Sequence, residues 1–329
     1  MSENKVYKSI TELVGNTPLV ELGNYNKNNN LKARVLAKLE YFNPSGSVKD
    51  RAALSMILEA ERDEKIKPGD TIIDFTSGNT GIALAAYANA LGYKFAAILQ
   101  PGVSEERTQI LKAYGSIFLE FKDIPGVLEL IQKEGLVFEK FYALIQKYAD
   151  EHGYYYINQG RNPENPLAHY RTTGPEIWEA TEGKVDYLVL LAGTGGSIVG
   201  IGKYLKEKNP DLKIIGVQPA RESLKDSNFP ERNTIDGVLV FHNVPKEKEI
   251  LYFKEFGVTY DECIEVNADI AYETGREIVK SDGIFLGQSA AAAINAATIV
   301  AKRKEVEGKT VVAICADNAF KYLSTNIYK

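Results

Sequence analysis

Short apolar runs alternate with longer stretches of helical periodicity along most of this chain. Runs such as TIIDF (71–75), YLVLLA (187–192) and TVVAICA (310–316) are apolar nearly throughout, rather than at every second position. Runs of this kind are typical of parallel strands that are covered on both faces. Because helical stretches separate the runs, the pattern predicts βαβ units in open, doubly wound α/β sheets.

The predicted strands span 71–75, 94–100, 116–121, 154–158, 187–192, 213–219, 263–266 and 310–316. The predicted helices lie near 50–64, 80–91, 104–114, 126–150, 172–181, 196–208, 268–281 and 289–304. Between two of the strands, the segment DEHGYYYINQGRNPENPLAHY is rich in Asn, Pro and Gly. Such a segment marks a passage between domains, so we expect two α/β domains in the 329 residues.

The charge balance excludes some classes of partner. The net charge is −5 and the basic residues are interspersed with acidic ones. We therefore expect neither a nucleic-acid surface nor a surface for anionic membranes. No apolar segment reaches the length of a transmembrane helix, and the N-terminus has no apolar core of signal-peptide length. These features predict a soluble, cytoplasmic protein that acts on a small molecule.

Cysteine and histidine are too few and too scattered for a metal or disulfide framework. The cysteines are Cys263 and Cys315, and their spacing matches no metal motif. The histidines, His152, His169 and His242, are far apart in the chain. We expect no metal site.

The loop TSGNTG (76–81) follows the run TIIDF, at the end of a predicted strand where α/β sheets bind ligands. One interpretation is a helix cap, since Thr76, Ser77 and Asn79 are all good capping residues. The other is an anion or carboxylate site, because a helix N-terminus leaves N–H groups free and the polar side chains add donors. Four small polar residues and two glycines exceed what one cap needs, which favours the anion site.

A second loop, GTGGS (193–197), follows YLVLLA and precedes another helix. Its three glycines permit close backbone approach, and a helix N-terminus binds phosphate. A dinucleotide fingerprint fails, because Ile198 stands where the third glycine is needed and the next strand offers Gln218 instead of an acid. No Gly-Lys-Ser/Thr follows, so a P-loop also fails. The loop favours a site for a single phosphate over a simple glycine-rich turn.

Two further positions bear on the chemistry. Lys49 begins a predicted helix directly after the loop NPSGS (43–47), and Ser289 is the expected N-cap of the helix in GQSAAAAINAA. Lys49 is either a solvated charge or a reactive amine. A phosphate loop, a carboxylate site and a lysine at a loop edge together suit pyridoxal 5'-phosphate (PLP) and an amino-acid substrate.

In its motifs the chain resembles the cysteine synthase and cystathionine β-synthase family of PLP enzymes, of the tryptophan-synthase-β-like fold. The resemblance covers nearly the whole chain. It implies two doubly wound open-sheet domains with PLP in the cleft between them: a smaller, mobile domain at 46–155, and a larger one formed by 1–45 with 156–329. It also implies a homodimer. The motifs, in the family's order, are GNTPLV (15–20), KLEYFNPSGSVKDR (38–51), TSGNTG (76–81), NQGRNPENPLAHYRTTGPEIW (158–178) and GTGGS (193–197).

The resemblance assigns a role to each site residue. Lys49 corresponds to the Schiff-base lysine and catalytic base, Asn79 to the asparagine at the cofactor's ring oxygen, and Ser289 to the serine facing the pyridine nitrogen. The residues that correspond to the substrate-carboxylate site are Thr76, Ser77, Thr80 and Gln159. The residues that correspond to the phosphate cup are Gly193, Thr194, Gly195, Gly196 and Ser197.

The activity implied is β-replacement on a serine- or cysteine-type amino acid through an α-aminoacrylate intermediate, with O-acetylserine plus sulfide giving cysteine as the default. One departure bears on the substrate. Asp236, beside the expected substrate-binding residue Gly237, stands where cystathionine β-synthases carry an acid and cysteine synthases a neutral residue. Asp-Gly is a turn dipeptide, but an acid there also suits a general base for water or a thiol. This leaves open a cysteine-consuming lyase that releases hydrogen sulfide, a cystathionine β-synthase-type reaction, and a serine/threonine deaminase.

Overall fold

The structure is a computed structural model that describes residues 5–76, 78–99, 105–226 and 228–329. The strands within these ranges are β1 (Leu19–Glu21), β2 (Arg34–Leu39), β3 (Thr71–Phe75), β4 (Lys94–Leu99), β5 (Ile117–Glu120), β6 (Tyr154–Tyr156), β7 (Tyr187–Leu191), β8 (Lys213–Pro219), β9 (Glu262–Val266) and β10 (Thr310–Cys315). The α-helices are α1 (Gly23–Asn28), α2 (Lys49–Arg62), α3 (Asn79–Leu91), α4 (Glu105–Ala113), α5 (Val127–Glu134), α6 (Phe138–His152), α7 (Glu164–Arg171), α8 (Thr173–Ala180), α9 (Gly196–Lys208), α10 (Leu251–Phe256), α11 (Ala268–Asp282) and α12 (Gln288–Ala301).

The described strands form two open sheets. One has the order β1-β2-β10-β7-β8-β9 and the other the order β5-β4-β3-β6. Every neighbouring pair is parallel except β1 with β2. The prediction of two doubly wound α/β sheets is therefore confirmed.

Each sheet has an apolar core on both faces, because successive strand residues point to opposite sides. In β10, Val311 and Ala313 belong to the core that includes α11 and α12, whereas Val312 and Ile314 belong to the core that includes α9. In β3, Ile72 and Ile73 divide in the same way between two cores. Burial on both faces explains why the strands read as continuous apolar runs.

Contacts divide the chain into two units. The smaller contains the residues up to Gly15, Asn43–Ser45 and Lys49–Glu164, and the larger contains Asn16–Phe42, Gly46–Val48 and Asn165–Lys329.

At its C-terminal end the smaller unit reaches beyond the predicted bounds of 46–155. Strand β6 pairs with β3, and the hydroxyl of Ser55 donates to Glu164 Oε2 at 2.8 Å. These contacts keep the segment after residue 155 with the smaller sheet.

The prediction of one continuous helix at 126–150 is wrong. The segment forms two helices, α5 and α6, because Gly135 takes a left-handed φ of +75° and ends α5. The sequence patterns also did not predict β1, β2, α1, α7 and α10. Within the described ranges, every helix is too short or too polar to cross a lipid bilayer.

Candidate active site

Lys49 is the first residue of α2 and is half-buried. The three residues before it belong to the larger unit, where Val48 N donates to Ala316 O at 2.8 Å and Ser47 forms an isolated bridge with Asp317. The chain therefore passes from one unit to the other at the bond that joins Val48 to Lys49.

A buried carboxylate fixes the loop on the other side of this passage. Asp50 accepts hydrogen bonds from Ser45 N at 2.6 Å, from Ser45 Oγ at 2.5 Å and from Tyr87 Oη at 2.7 Å. An acid in the first turn of a helix is also favoured by the helix dipole. Asp50 thus holds the backbone next to Lys49, a role that the sequence analysis missed although Asp50 lies within the quoted motif.

The loop before α3, where the carboxylate site is predicted, contains a side-chain hydrogen bond to the first turn of the helix. Thr76 Oγ1 accepts a hydrogen bond from Gly81 N at 3.1 Å, as a capping residue does. Gly78 is the N-cap and supplies no side chain, and Asn79 is the first helical residue, half-buried. Ser77 lies outside the described residues.

Gln159 is held beside this loop by both ends of its amide. Its Oε1 accepts from Thr80 Oγ1 at 2.8 Å, and its Nε2 donates to Asp74 Oδ2 at 2.9 Å and to Phe75 O at 3.3 Å. The structure thus brings Thr80 and Gln159 together, as the predicted carboxylate site requires.

Asp74 is the member of this group that the sequence analysis missed. Burial raises the pKa of Asp74 to about 7, although hydrogen bonds from Gln159 act in the opposite direction. The only local signal was an acid inside the apolar run TIIDF.

The glycine-rich loop joins β7 to α9, and its conformation suits a phosphate. Gly195 takes a left-handed φ of +89° and is the N-cap of α9, with no side-chain cap bond. A Cβ at Gly195 would overlap Ile250, and one at Gly193 would lie 3.2 Å from Gly237 O. These two glycines are therefore needed for packing within the protein, and the N–H groups and dipole at the start of α9 are of the kind that the predicted phosphate site requires.

The turn at Asp236 and Gly237 lies beside this loop within the larger unit. Gly237 O is the close neighbour of Gly193, and Asp236 N donates to Gln288 Oε1 at 3.0 Å. Gln288 precedes Ser289 in the first turn of α12, so the structure brings the phosphate loop, this turn and the start of α12 together. Ser289 is buried, but it is the second residue of α12 and Gly287 is the N-cap, so the expectation that Ser289 caps the helix is wrong.

The carboxylate of Asp236 is largely shielded from solvent. Its side chain is 14% exposed, Oδ1 accepts from Thr234 Oγ1 at 3.0 Å, and Lys225 Nζ lies 3.5 Å from Oδ1. Gly237 has a φ of +75°, which agrees with the turn interpretation of the backbone. A turn and a general base are compatible, because the turn uses the backbone and the base uses the side chain.

A buried network that the sequence analysis missed supports this turn. Gln288 Nε2 donates to Tyr272 Oη at 2.7 Å, and Tyr272 Oη donates to Thr234 O at 2.8 Å. Burial and, to a smaller extent, the charge of Asp236 raise the pKa of Tyr272, so its hydroxyl remains a donor. The network fixes residues 234–236 relative to the start of α12.

The chain matches known proteins over nearly its whole length. A family model described as pyridoxal-phosphate dependent enzyme matches residues 10–317. The cysteine synthase of Staphylococcus aureus is 41% identical over 327 residues, which is 98% of each chain. The crystal structure of cysteine synthase (OASS) from Entamoeba histolytica is 36% identical with a TM-score of 0.80, and the match covers 100% of this chain and 93% of that one. The crystal structure of a hydrogen sulfide-producing enzyme from Fusobacterium nucleatum is 33% identical with a TM-score of 0.78, over 97% of this chain and 100% of that one.

These similarities agree with the site geometry, since the glycine loop at the start of α9 suits the phosphate of PLP. The predicted cofactor, PLP, and the predicted class, a PLP-dependent β-replacing enzyme, are confirmed. The chain therefore belongs to the family of pyridoxal-phosphate dependent enzymes, among the cysteine synthases and their relatives.

Proposed function

We propose that this enzyme makes cysteine from O-acetylserine and sulfide. Acetate leaves from Cβ of the amino acid and hydrosulfide adds at the same carbon. The observation that carries the proposal is the position of Lys49 at the start of α2, in a chain that matches a cysteine synthase over 98% of its length.

Bound PLP supplies an electron sink for the α-carbon of the amino acid. In our proposal Lys49 Nζ anchors the cofactor and moves the α-proton, while Asp50 keeps the loop before Lys49 in place. The side chain of Asn79 would hold the ring oxygen of the cofactor, and Ser289 would hold its pyridine nitrogen. The substrate carboxylate is bound by Thr76, Ser77, Thr80 and Gln159, with Gly237 as a further substrate contact. The phosphate is bound by Gly193, Thr194, Gly195, Gly196 and Ser197.

Asp236 supports a second candidate, a reaction in which water or a thiol is the nucleophile. Hydrosulfide needs little help to ionise near neutral pH, whereas water and thiols need a base, worth roughly 10²- to 10⁴-fold in rate. The carboxylate of Asp236 is shielded from solvent, and the backbone of its turn lies beside Gly193 and the start of α12, so in this proposal Asp236 performs that task. This candidate consumes cysteine and releases sulfide, or joins serine to homocysteine.

A substrate panel tests the proposal. The enzyme is supplied with O-acetylserine, serine and cysteine in turn, each with and without sulfide or homocysteine, and the products are identified by mass. Efficient cysteine formation from O-acetylserine and sulfide supports the first candidate. Faster sulfide release from cysteine, or cystathionine formation, supports the second. Pyruvate from serine without any replacement product would identify a deaminase and contradict both.

An Asp236→Asn variant separates the two candidates further. It preserves the size of the side chain and removes the base. If Asp236 is a general base, addition of water or thiol slows by about 10²- to 10⁴-fold, and sulfide addition changes little. Asp226→Asn, in the same loop, is the matched control. Equal rates for Asp236→Asn and wild type with every nucleophile would leave Asp236 as a turn residue only.

We also propose that the enzyme is a homodimer of the cytoplasm. Both cysteines are free thiols in the structure, which suits a reducing compartment, and the family resemblance suggests the dimer. Light scattering of the purified enzyme and fractionation of cells test the two statements. A monomer, or a secreted protein, would contradict them.

A further inference from the structure

Asn165, in the first turn of α7, is buried against the glycine-rich loop. The residue is 3% exposed, and Nδ2 donates to Thr194 Oγ1 at 3.0 Å. Its Oδ1 lies where a Cβ of residue 196 would be, so any larger residue than Gly196 would displace it. Asn165 therefore contacts both Thr194 and Gly196 of the loop that is proposed to bind the cofactor phosphate.

This contact restricts the hydroxyl proton of Thr194. A threonine hydroxyl has one proton and can accept through its lone pairs, whereas the amide nitrogen of asparagine only donates. Because Asn165 Nδ2 donates to Oγ1, the proton of Thr194 cannot point back at that nitrogen. It is left for another acceptor, and an anion at the N-terminus of α9 is the acceptor that this position favours.

The packing of α7 on α9 prevents Asn165 from moving aside. One turn after Gly196, a Cβ at Gly200 would overlap Pro166 O and would lie 2.8 Å from His169 Cβ. The two helices therefore meet at backbone distance near Asn165. It follows that Gly196 is needed for contact with Asn165, and not only for close approach of a phosphate.

We infer that Asn165 is a positioning residue for the PLP phosphate, which it serves by directing the Thr194 hydroxyl proton towards that phosphate. The inference rests on the proposed phosphate-binding role of the loop. Asn165→Asp has nearly the same shape but reverses the hydrogen bond, because a carboxylate accepts the Thr194 proton and cannot donate. It also adds a negative charge beside the loop. Both effects weaken phosphate binding and neither involves the aldehyde of the cofactor.

The test compares PLP with pyridoxal, which lacks the phosphate. Full-length apoenzymes, wild type and Asn165→Asp, are titrated with each compound, and binding is followed by absorbance. Loss of a charge-assisted hydrogen bond corresponds to about 10- to 100-fold weaker binding. We expect the affinity of Asn165→Asp for PLP to fall by about that factor and its affinity for pyridoxal to remain that of the wild type.

Asn209→Asp is the matched control. Asn209 follows the last residue of α9, and its Nδ2 donates to Val185 O at 3.0 Å, at the opposite end of the helix from the phosphate loop. The same chemical change there should leave the preference for PLP over pyridoxal unaltered.

If Asn165→Asp does not fold, a double-mutant cycle tests whether Asn165 acts through Thr194. Asn165→Ala and Thr194→Val are measured singly and together. If Asn165 acts through Thr194, the double variant binds PLP no more weakly than Thr194→Val alone.

The outcomes separate this inference from the proposed function. A wild type that binds PLP and pyridoxal equally would overturn the phosphate role of the loop itself. If the wild type prefers PLP and Asn165→Asp keeps that preference, the role of Asn165 alone is overturned. Additive losses in the double-mutant cycle would overturn it as well.

Discussion

Replacing Asp74 by asparagine removes one buried carboxyl group at the carboxyl end of β3. In the wild type, Asp74 Oδ2 accepts from Gln159 Nε2 at 2.9 Å, and an asparagine oxygen can accept the same hydrogen bond. Tyr142 is an ionisable group near Asp74. Burial, followed by the charge of Asp74, raises the pKa of Tyr142 to about 12, and Arg161 acts in the opposite direction. The substitution therefore removes the charge and keeps an acceptor for Gln159 Nε2.

The raised pKa of Asp74 determines how the folding stability of the wild type changes with pH. Burial raises the pKa of Asp74 from 3.8 to about 7. Below pH 4 the carboxyl is protonated in both folded and unfolded states and contributes nothing to the pH dependence. Between pH 4 and 7 the folded state binds more protons, so folding stability falls as pH rises, and it stays lower above pH 7. At about 1.4 kcal/mol for each pKa unit, the full loss amounts to at most about 4 kcal/mol.

Asp74→Asn should therefore gain stability relative to wild type as pH rises. The assay is urea unfolding of both apoenzymes at several pH values from 5 to 8.5, followed by circular dichroism. The difference in midpoint should widen up to about pH 7 and then stay constant. Asp150→Asn, on the exposed side of α6, is the control and should show no such widening. A constant difference between Asp74→Asn and wild type across the range would mean that Asp74 is already ionised at pH 5, which would refute the reasoning.

Three further substitutions test the site. Lys49→Ala should still bind PLP through the phosphate loop but lose turnover, and unchanged activity in a steady-state assay would contradict its role. Gln159→Ala should weaken binding of amino-acid substrates by about 10- to 100-fold with the resting cofactor absorbance unchanged, so unaltered binding of serine analogues would place Gln159 outside the site. Gly195→Ala should lower folding stability by about 1–3 kcal/mol because an alanine is strained in this left-handed backbone conformation. The overlap of its Cβ with Ile250 should lower the stability further. Gly257→Ala has a similar φ and open space around it, so equal thermal midpoints for the two variants would argue against the overlap.

The sequence predicted elements whose signal is local and missed those that depend on distant partners. The run TIIDF was predicted as a strand and coincides with β3. Strand β2 was missed because Arg34 and Lys38 interrupt its apolar pattern. Lys38 is nevertheless buried, since its Nζ donates to Thr17 O at 2.7 Å and to Glu176 Oε2 at 2.6 Å. Glu176 lies 138 residues further along the chain, and no local pattern indicates that pairing.

The same distinction applies to the site. Lys49 and the glycine-rich loop stand in compact motifs, so residue types and spacing are enough to predict roles for them. Asp74 and Asn165 act through hydrogen bonds to residues 85 and 29 positions away, respectively. Their importance follows from the packing of separate helices and strands, which periodicity cannot give.

The place of β10 in the larger sheet has a consequence for synthesis of the chain. Strand β10 lies between β2 and β7, and its residues 310–315 pair with residues 34–39. On the ribosome, most of the smaller unit is complete once Glu164 has emerged, but the facing edges of β2 and β7 are covered only when residues 310–315 have been made. Until then both strands expose unpaired backbone groups, which are sites of aggregation. A chain interrupted before Thr310 would lack the strand that joins the two parts of this sheet, so we expect the nascent larger unit to need more protection from aggregation than the smaller one.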